Sequence, residues 1–126
     1  MGTKGFVAFT ANGTVTDDTL ILGVTSDGFL NNLSTLAQQT MSVAKRVKLL
    51  TKFRKGDREI VKLVLQRVCQ ISDGWCFVDT YRNAMWIDYS VIVNVKTGKV
   101  TMWEGKLEYA YTAPDSVLQQ TARVAV

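Results

Sequence analysis

The chain has 126 residues, 47% of them hydrophobic, no histidine, and fifteen Lys and Arg against eleven Asp and Glu, for a formal net charge of +4. That length supports one domain with a real core. No run of about 18 apolar residues and no basic-then-apolar start points to a membrane span or a signal peptide, so the expectation is a soluble, cytoplasm-made protein with no membrane partner.

Without histidine the commonest general base and the usual partner of a Ser or Cys nucleophile are missing, which makes catalysis the lesser expectation. Cys69 and Cys76, with six residues between them, match no zinc spacing. No metal or cofactor is expected, and reduced thiols are the default with a disulfide open. Phosphate-loop and dinucleotide glycine patterns are absent.

In chain order, Gly5 to Thr10 (GFVAFT) runs into Asn12-Gly13, the strongest short hairpin signal, and Thr19 to Val24 (TLILGV) reads as a strand ended by Ser26-Asp27-Gly28. From Phe29 to Ser42 the residues Leu30, Leu33, Leu36 and Ala37 suit a helix. A strand is assigned there because a sheet needs a partner for the segment that follows.

That segment, Val43 to Val68, holds nine of the fifteen Lys and Arg and two of the eleven acids. Two readings compete. As a helix, Leu33, Ala37, Ala44, Val47, Leu50 and Phe53 form an apolar stripe opposite Lys45, Lys48, Lys52 and Lys55. As a hairpin, Val47, Leu49, Thr51 and Phe53 alternate with Arg46, Lys48, Lys52 and Arg54, Lys55-Gly56-Asp57 turns, and Val61, Leu63 and Leu65 alternate with Lys62 and Gln66. The turn residues, the β-branched Ile60, Val61, Val64 and Val68, and the gathering of charge on one face favour the hairpin.

Ser72-Asp73-Gly74 is a turn. Met85, Ile87, Tyr89, Val91, Val93 and Val95 then alternate with Trp86, Asp88, Ser90, Ile92 and Asn94, a strand with one buried and one polar face. Past Lys96-Thr97-Gly98, the spacing of Val100, Trp103, Leu107 and Ala110 favours a helix, although Gly105 opposes it by about 1 kcal/mol; a strand from Val100 to Tyr111 would need a parity flip at Gly105. After Pro114, Asp115 or Ser116 can cap a short final helix through Val117, Leu118 and Ala122.

This order, a hairpin, an antiparallel meander with a basic face and two C-terminal helices, resembles the coat proteins of the small single-stranded RNA bacteriophages. The likeness spans the chain as a layout and is carried mainly by RVKLLTKFRKGDREIVKLVL, YRNAMWIDYSVIV and the tail after Lys96. A doubtful strand at Phe29 to Ser42 and the hairpin-like VNVKTGKV depart from it.

The resemblance implies an α+β fold with an N-terminal β-hairpin, a five-stranded antiparallel sheet and two C-terminal helices. It also implies an intertwined dimer that assembles into an icosahedral shell, and genomic RNA or an RNA stem-loop bound on the sheet. The protein would be found in a virion made in a bacterial cytoplasm. A lone sheet with two helices leaves apolar area that a partner's helices can bury, which argues for the dimer independently.

By position, Arg46, Lys48, Lys52, Arg54, Arg58 and Lys62 would contact phosphates, and Trp86, Asp88 and Ser90 would continue that face, with Trp86 stacking on an unpaired base. The loop Ile71 to Cys76 would occupy the family's contact at the symmetry axes, or be a plain surface turn. Two alternatives stand beside this reading: a small basic α+β module binding nucleic acid or protein through a truly helical Leu30 to Phe53, and a cavity enzyme using Asp79 and Asp88 across a turn at Arg82-Asn83-Ala84.

Overall fold

The computed structural model describes residues 2–104 and the backbone of residues 119–123. The apolar run Gly5–Thr10 forms strand β1, and Leu20–Val24 forms β2 antiparallel to it, with Gly5 opposite Val24 and Phe9 opposite Leu20. The two arms of the expected hairpin are therefore these two runs, joined by the longer loop 11–19 that contains Asn12-Gly13.

Three helices follow: α1 (Leu30–Arg46), α2 (Leu50–Arg54) and α3 (Arg58–Ile71). The chain then returns to the sheet as β3 (Phe77–Thr80), makes a 3-10 turn at Tyr81–Asn83, and continues into β4 (Tyr89–Asn94) and β5 (Lys99–Glu104). A sixth strand, β6 (Gln119–Arg123), pairs with β5. The order across the sheet is β3-β2-β1-β4-β5-β6. Pairing is antiparallel except between β1 and β4, which run parallel, so the class is α+β and the sheet is mixed rather than antiparallel throughout.

The segment expected to be a basic hairpin is helical, and so is the run Phe29 to Ser42 that was expected to be its partner strand. Burial decides this. In α1, Leu33, Leu36, Ala37, Met41 and Ala44 recur at helical spacing, and in α3 so do Val61, Val64, Leu65 and Val68; all are buried against the sheet. The alternating pattern would have buried Leu63 with Val61 and Leu65, but Leu63 is 50% exposed and Leu65 fully buried. The β-branched side chains of α3 lose rotamer freedom worth tenths of a kcal/mol each, whereas burying each contributes about 1.5–3 kcal/mol.

Turn chemistry at Gly56-Asp57 is real, but it joins two helices. Gly56 has φ 78, and the bonds Gly56 N to Phe53 O (3.0 Å) and Asp57 N to Lys52 O (3.3 Å) close the end of α2. Asp57 then caps α3, its carboxylate accepting from Ile60 N at 3.3 Å. The end of α1 is closed the same way, by Lys48 N to Lys45 O (3.1 Å) and Leu49 N to Ala44 O (2.9 Å). There the left-handed residue is Lys48, with φ 64, where glycine is usual.

The helices cover one sheet face, where Val7, Phe9, Leu20, Leu22, Val24, Val91 and Val93 meet them, and the Phe53 ring packs edge-on against Phe9 at 6.0 Å. That apolar face is therefore closed by the chain's own helices and is not left for a partner's helices to bury. The second face carries a smaller core of Phe6, Ala8, Val15, Ile21, Ala84 and Ile87.

Tyr89, Val91 and Val93 alternate with Ser90, Ile92 and Asn94 as expected, but regular strand begins at Tyr89: Met85 is exposed, Ile87 packs in the second-face core, and the face expected to be polar is buried at Ser90. The two helices expected after Lys96 are replaced, where described, by strands: VNVKTGKV is a tight β4–β5 turn with Gly98 at φ 76, and Trp103 sits in β5. Ala122 lies in β6 opposite Val100. Leu107, Ala110, Asp115, Ser116, Val117 and Leu118 lie outside the described residues.

Candidate nucleic-acid interface

Sheet register and helix direction place most of the cations together. β1 ends at Thr10, beside Asn94 at the end of β4, and β2 begins there, so one end of the sheet carries the loop 11–19 and the β4–β5 turn. α1 runs toward this end and α3 away from it, which puts the whole α1–α2–α3 corner over it. Two contacts fix the corner: Arg54 Nη2 donates to Lys96 O at 3.0 Å, and Arg58 Nη1 donates to Asp18 O at 2.6 Å.

The result is a concentration of Lys45, Arg46, Lys48, Lys52, Arg54, Lys55 and Arg58 from the helices with Lys96 and Lys99 from the turn, every one of them exposed. Lys62 continues the patch one turn along α3 from Arg58. The ion pairs among the described residues join Arg82 to Asp17 and Asp18, both at 3.9 Å, and involve none of these cations. Of the acids nearby, Asp57 caps a helix and Asp17 and Asp18 face Arg82, leaving Glu59 in the first turn of α3. A positive field over this end is thus left largely uncompensated.

Of the residues the sequence marked for RNA, Arg46, Lys48, Lys52, Arg54, Arg58 and Lys62 are brought together, on helices rather than on a sheet face. Trp86, Asp88 and Ser90 are not with them. Trp86 stands in the loop before β4 with φ 58, is 67% exposed, and lines a shallow pocket with Phe77, Met85 and Gly23 at the other end of the sheet, about 16 Å away along β4. Asp88 is occupied at that end, its carboxylate accepting from Lys4 N at 3.0 Å.

Ser90 is fully buried on the second sheet face, and among the described residues its hydroxyl has no hydrogen-bond partner, nor does Nε1 of Trp103 opposite it on β5. The basic, aromatic sheet face expected to bind RNA is absent from the described residues. The reason is the period of Arg46 to Lys62, which places its charges on helix exteriors.

The carboxylate pair also separates. Asp79 lies on edge strand β3 and accepts from Asn83 Nδ2 and Thr80 N, each at 2.7 Å, while Asp88 precedes β4 three strand positions away, roughly 14 Å at the usual strand spacing. They share no pocket. Among the described residues there is also no cluster of three or more His, Cys, Asp or Glu that could hold a metal, and no helix long and apolar enough to cross a membrane.

Sequence reasoning missed Lys96 and Lys99, whose only signal was charge flanking a turn; the β4–β5 pairing and the Arg54 contact are what bring them to the patch. It also missed Trp75, half-buried beside α1 and α3. No protein-family model, no curated protein and no solved structure matches this chain.

Proposed function

We propose that this protein is a non-catalytic nucleic-acid-binding module that holds phosphates with the helical corner Lys45 to Arg58 and the turn Lys96 to Lys99. The observation that carries this reading is the gathering of nine cations at one end with no ion pair to any of them among the described residues. Two lysines come from a turn remote in sequence, so the patch is made by tertiary structure and is more than a charged helix exterior. RNA is retained as a partner on this charge; the dimer and shell followed from the coat-protein likeness, whose wholly antiparallel sheet this mixed sheet is not.

Binding of this type is dominated by counterion release, and log Kobs falls linearly with log salt with a slope of about −0.7 per phosphate contact on single strands and about −0.9 on duplex. The test is fluorescence polarisation of labelled RNA and DNA over a salt series. Replacing Lys52, Lys55 and Lys96 by Gln, which leaves the Arg54 and Arg58 contacts in place, should shallow the slope by about 2 to 3 while the melting temperature holds. Salt-independent binding, or no binding to either polymer at low salt, would overturn the reading.

A further inference from the structure

A second concave surface lies between α1 and the C-terminal half of α3. It has a volume of about 450 Å³, in the range of small-molecule sites. One wall is a single face of α1, where Asn32, Thr35, Gln39 and Arg46 recur at helical spacing over about 21 Å. The opposite wall is mainly apolar, with Val68, Ile71, more than half exposed, and Trp75, which also packs on the main core, and Ser72 as its polar member. Arg46 belongs both to this cleft and to the basic corner, so the two surfaces are continuous. Among the described residues no carboxylate lines it.

Resting on the nucleic-acid reading above, we infer that this cleft is where the polymer is held as a single strand, with an unpaired base against Trp75 and its edges facing the amides and hydroxyls of α1. Phosphates at the basic corner do not distinguish one strand from two. Trp75 does: a base inside a duplex has both faces covered by its neighbours, and only an unpaired base can offer a face to an indole. The polar wall suits base edges, which carry donors and acceptors in mixed order, because amide and hydroxyl groups supply both. The absence of carboxylates and the cationic mouth complement a polyanion and disfavour an acidic or neutral peptide.

The experiment compares a mixed-sequence 15-nucleotide RNA with a hairpin duplex of equal charge, on the full chain. Trp75→Ala should weaken the single strand by about 5- to 150-fold, the equivalent of 1–3 kcal/mol of stacking, and leave the duplex within about twofold. Gln39→Glu, at an exposed helix position that cannot disturb the core, should also weaken the single strand selectively by placing a carboxylate in the cleft. Lys52→Gln with Arg54→Gln should weaken both ligands alike. If the charge variants act but Trp75→Ala and Gln39→Glu leave single-strand binding unchanged, or reduce both ligands equally, the cleft is not the strand site while the basic-corner reading survives. If the unaltered protein binds neither ligand, the basic-corner reading itself falls.

Discussion

Lys48 sits at the left-handed position that closes α1, φ 64, with both closing hydrogen bonds formed around it. A side chain in this region costs about 1–2 kcal/mol, and glycine removes that cost. Glycine in turn adds about 0.4–1 kcal/mol of unfolded-state freedom, so Lys48→Gly should stabilise the fold by a net 0.5–1 kcal/mol or so. Lys48→Ala keeps the strained geometry and removes the same charge, which makes it the control. In urea titrations the glycine variant should show the higher midpoint with an unchanged slope, and a melting temperature raised by about 2–5 °C over the alanine variant. Both variants should lose one phosphate contact, shallowing the salt slope of nucleic-acid binding equally. A glycine variant no more stable than the alanine variant would mean that α1 does not end through a left-handed Lys48.

Four further outcomes check the fold. Leu65→Ala should cost about 2–5 kcal/mol, whereas Leu63→Ala, half in solvent, should stay under about 1; equal costs in chemical denaturation would restore the alternating register. Gly56→Ala should destabilise by more than 1 kcal/mol, because φ is 78 and an added Cβ would lie 2.6 Å from Cβ of Ala11; a neutral result by calorimetry would contradict that corner. Burial, with the neighbouring Cys76 thiol adding to it, pushes the Cys69 thiol from 9.0 up to about 12, so its contribution to stability is complete below pH 9 and declines as pH rises from 9 toward 12. Since Cys69 and Cys76 sulfurs are 3.5 Å apart, a thiol oxidant such as diamide should join them within one chain, read as a loss of two hydrogens by mass spectrometry; dimer formation instead would place them apart.

The sheet was legible where one period applied. Val91 and Val93 against Ser90 and Ile92 alternate, and the period alone marks that strand; Gly5 to Thr10 is apolar on both faces and reads as a strand from its shortness and the turn residues that follow it. Between Val47 and Phe53 the apolar residues satisfy both periods, and turn residues at Gly56-Asp57 serve a helix end as readily as a hairpin. There the choice depends on how much sheet surface the segment can cover, which is a tertiary quantity. Trp103 was assigned to a helix because Val100, Trp103 and Leu107 have helical spacing; pairing of β5 with Tyr89 to Val93 overrides that local pattern. The basic residues of the site were legible as a charge run. Their assembly with Lys96 and Lys99, and the exclusion of Trp86, depend on which end of the sheet each loop occupies, and no local sequence pattern encodes that.

The parallel pairing of β1 with β4 joins Gly5 to Tyr89, a separation of 84 residues, inside a sheet whose middle is β1. During synthesis β2 can cover one side of β1 within a few residues of its emergence, but the other side keeps open backbone donors and acceptors until the chain has grown past Asn94. The three helices are made in that interval and can pack onto the exposed apolar face of the hairpin while its free edge waits. Closure of the sheet is therefore a late, non-local step, and a ribosome stalled before residue 94 would present an unpaired central strand, the kind of edge on which neighbouring nascent chains aggregate.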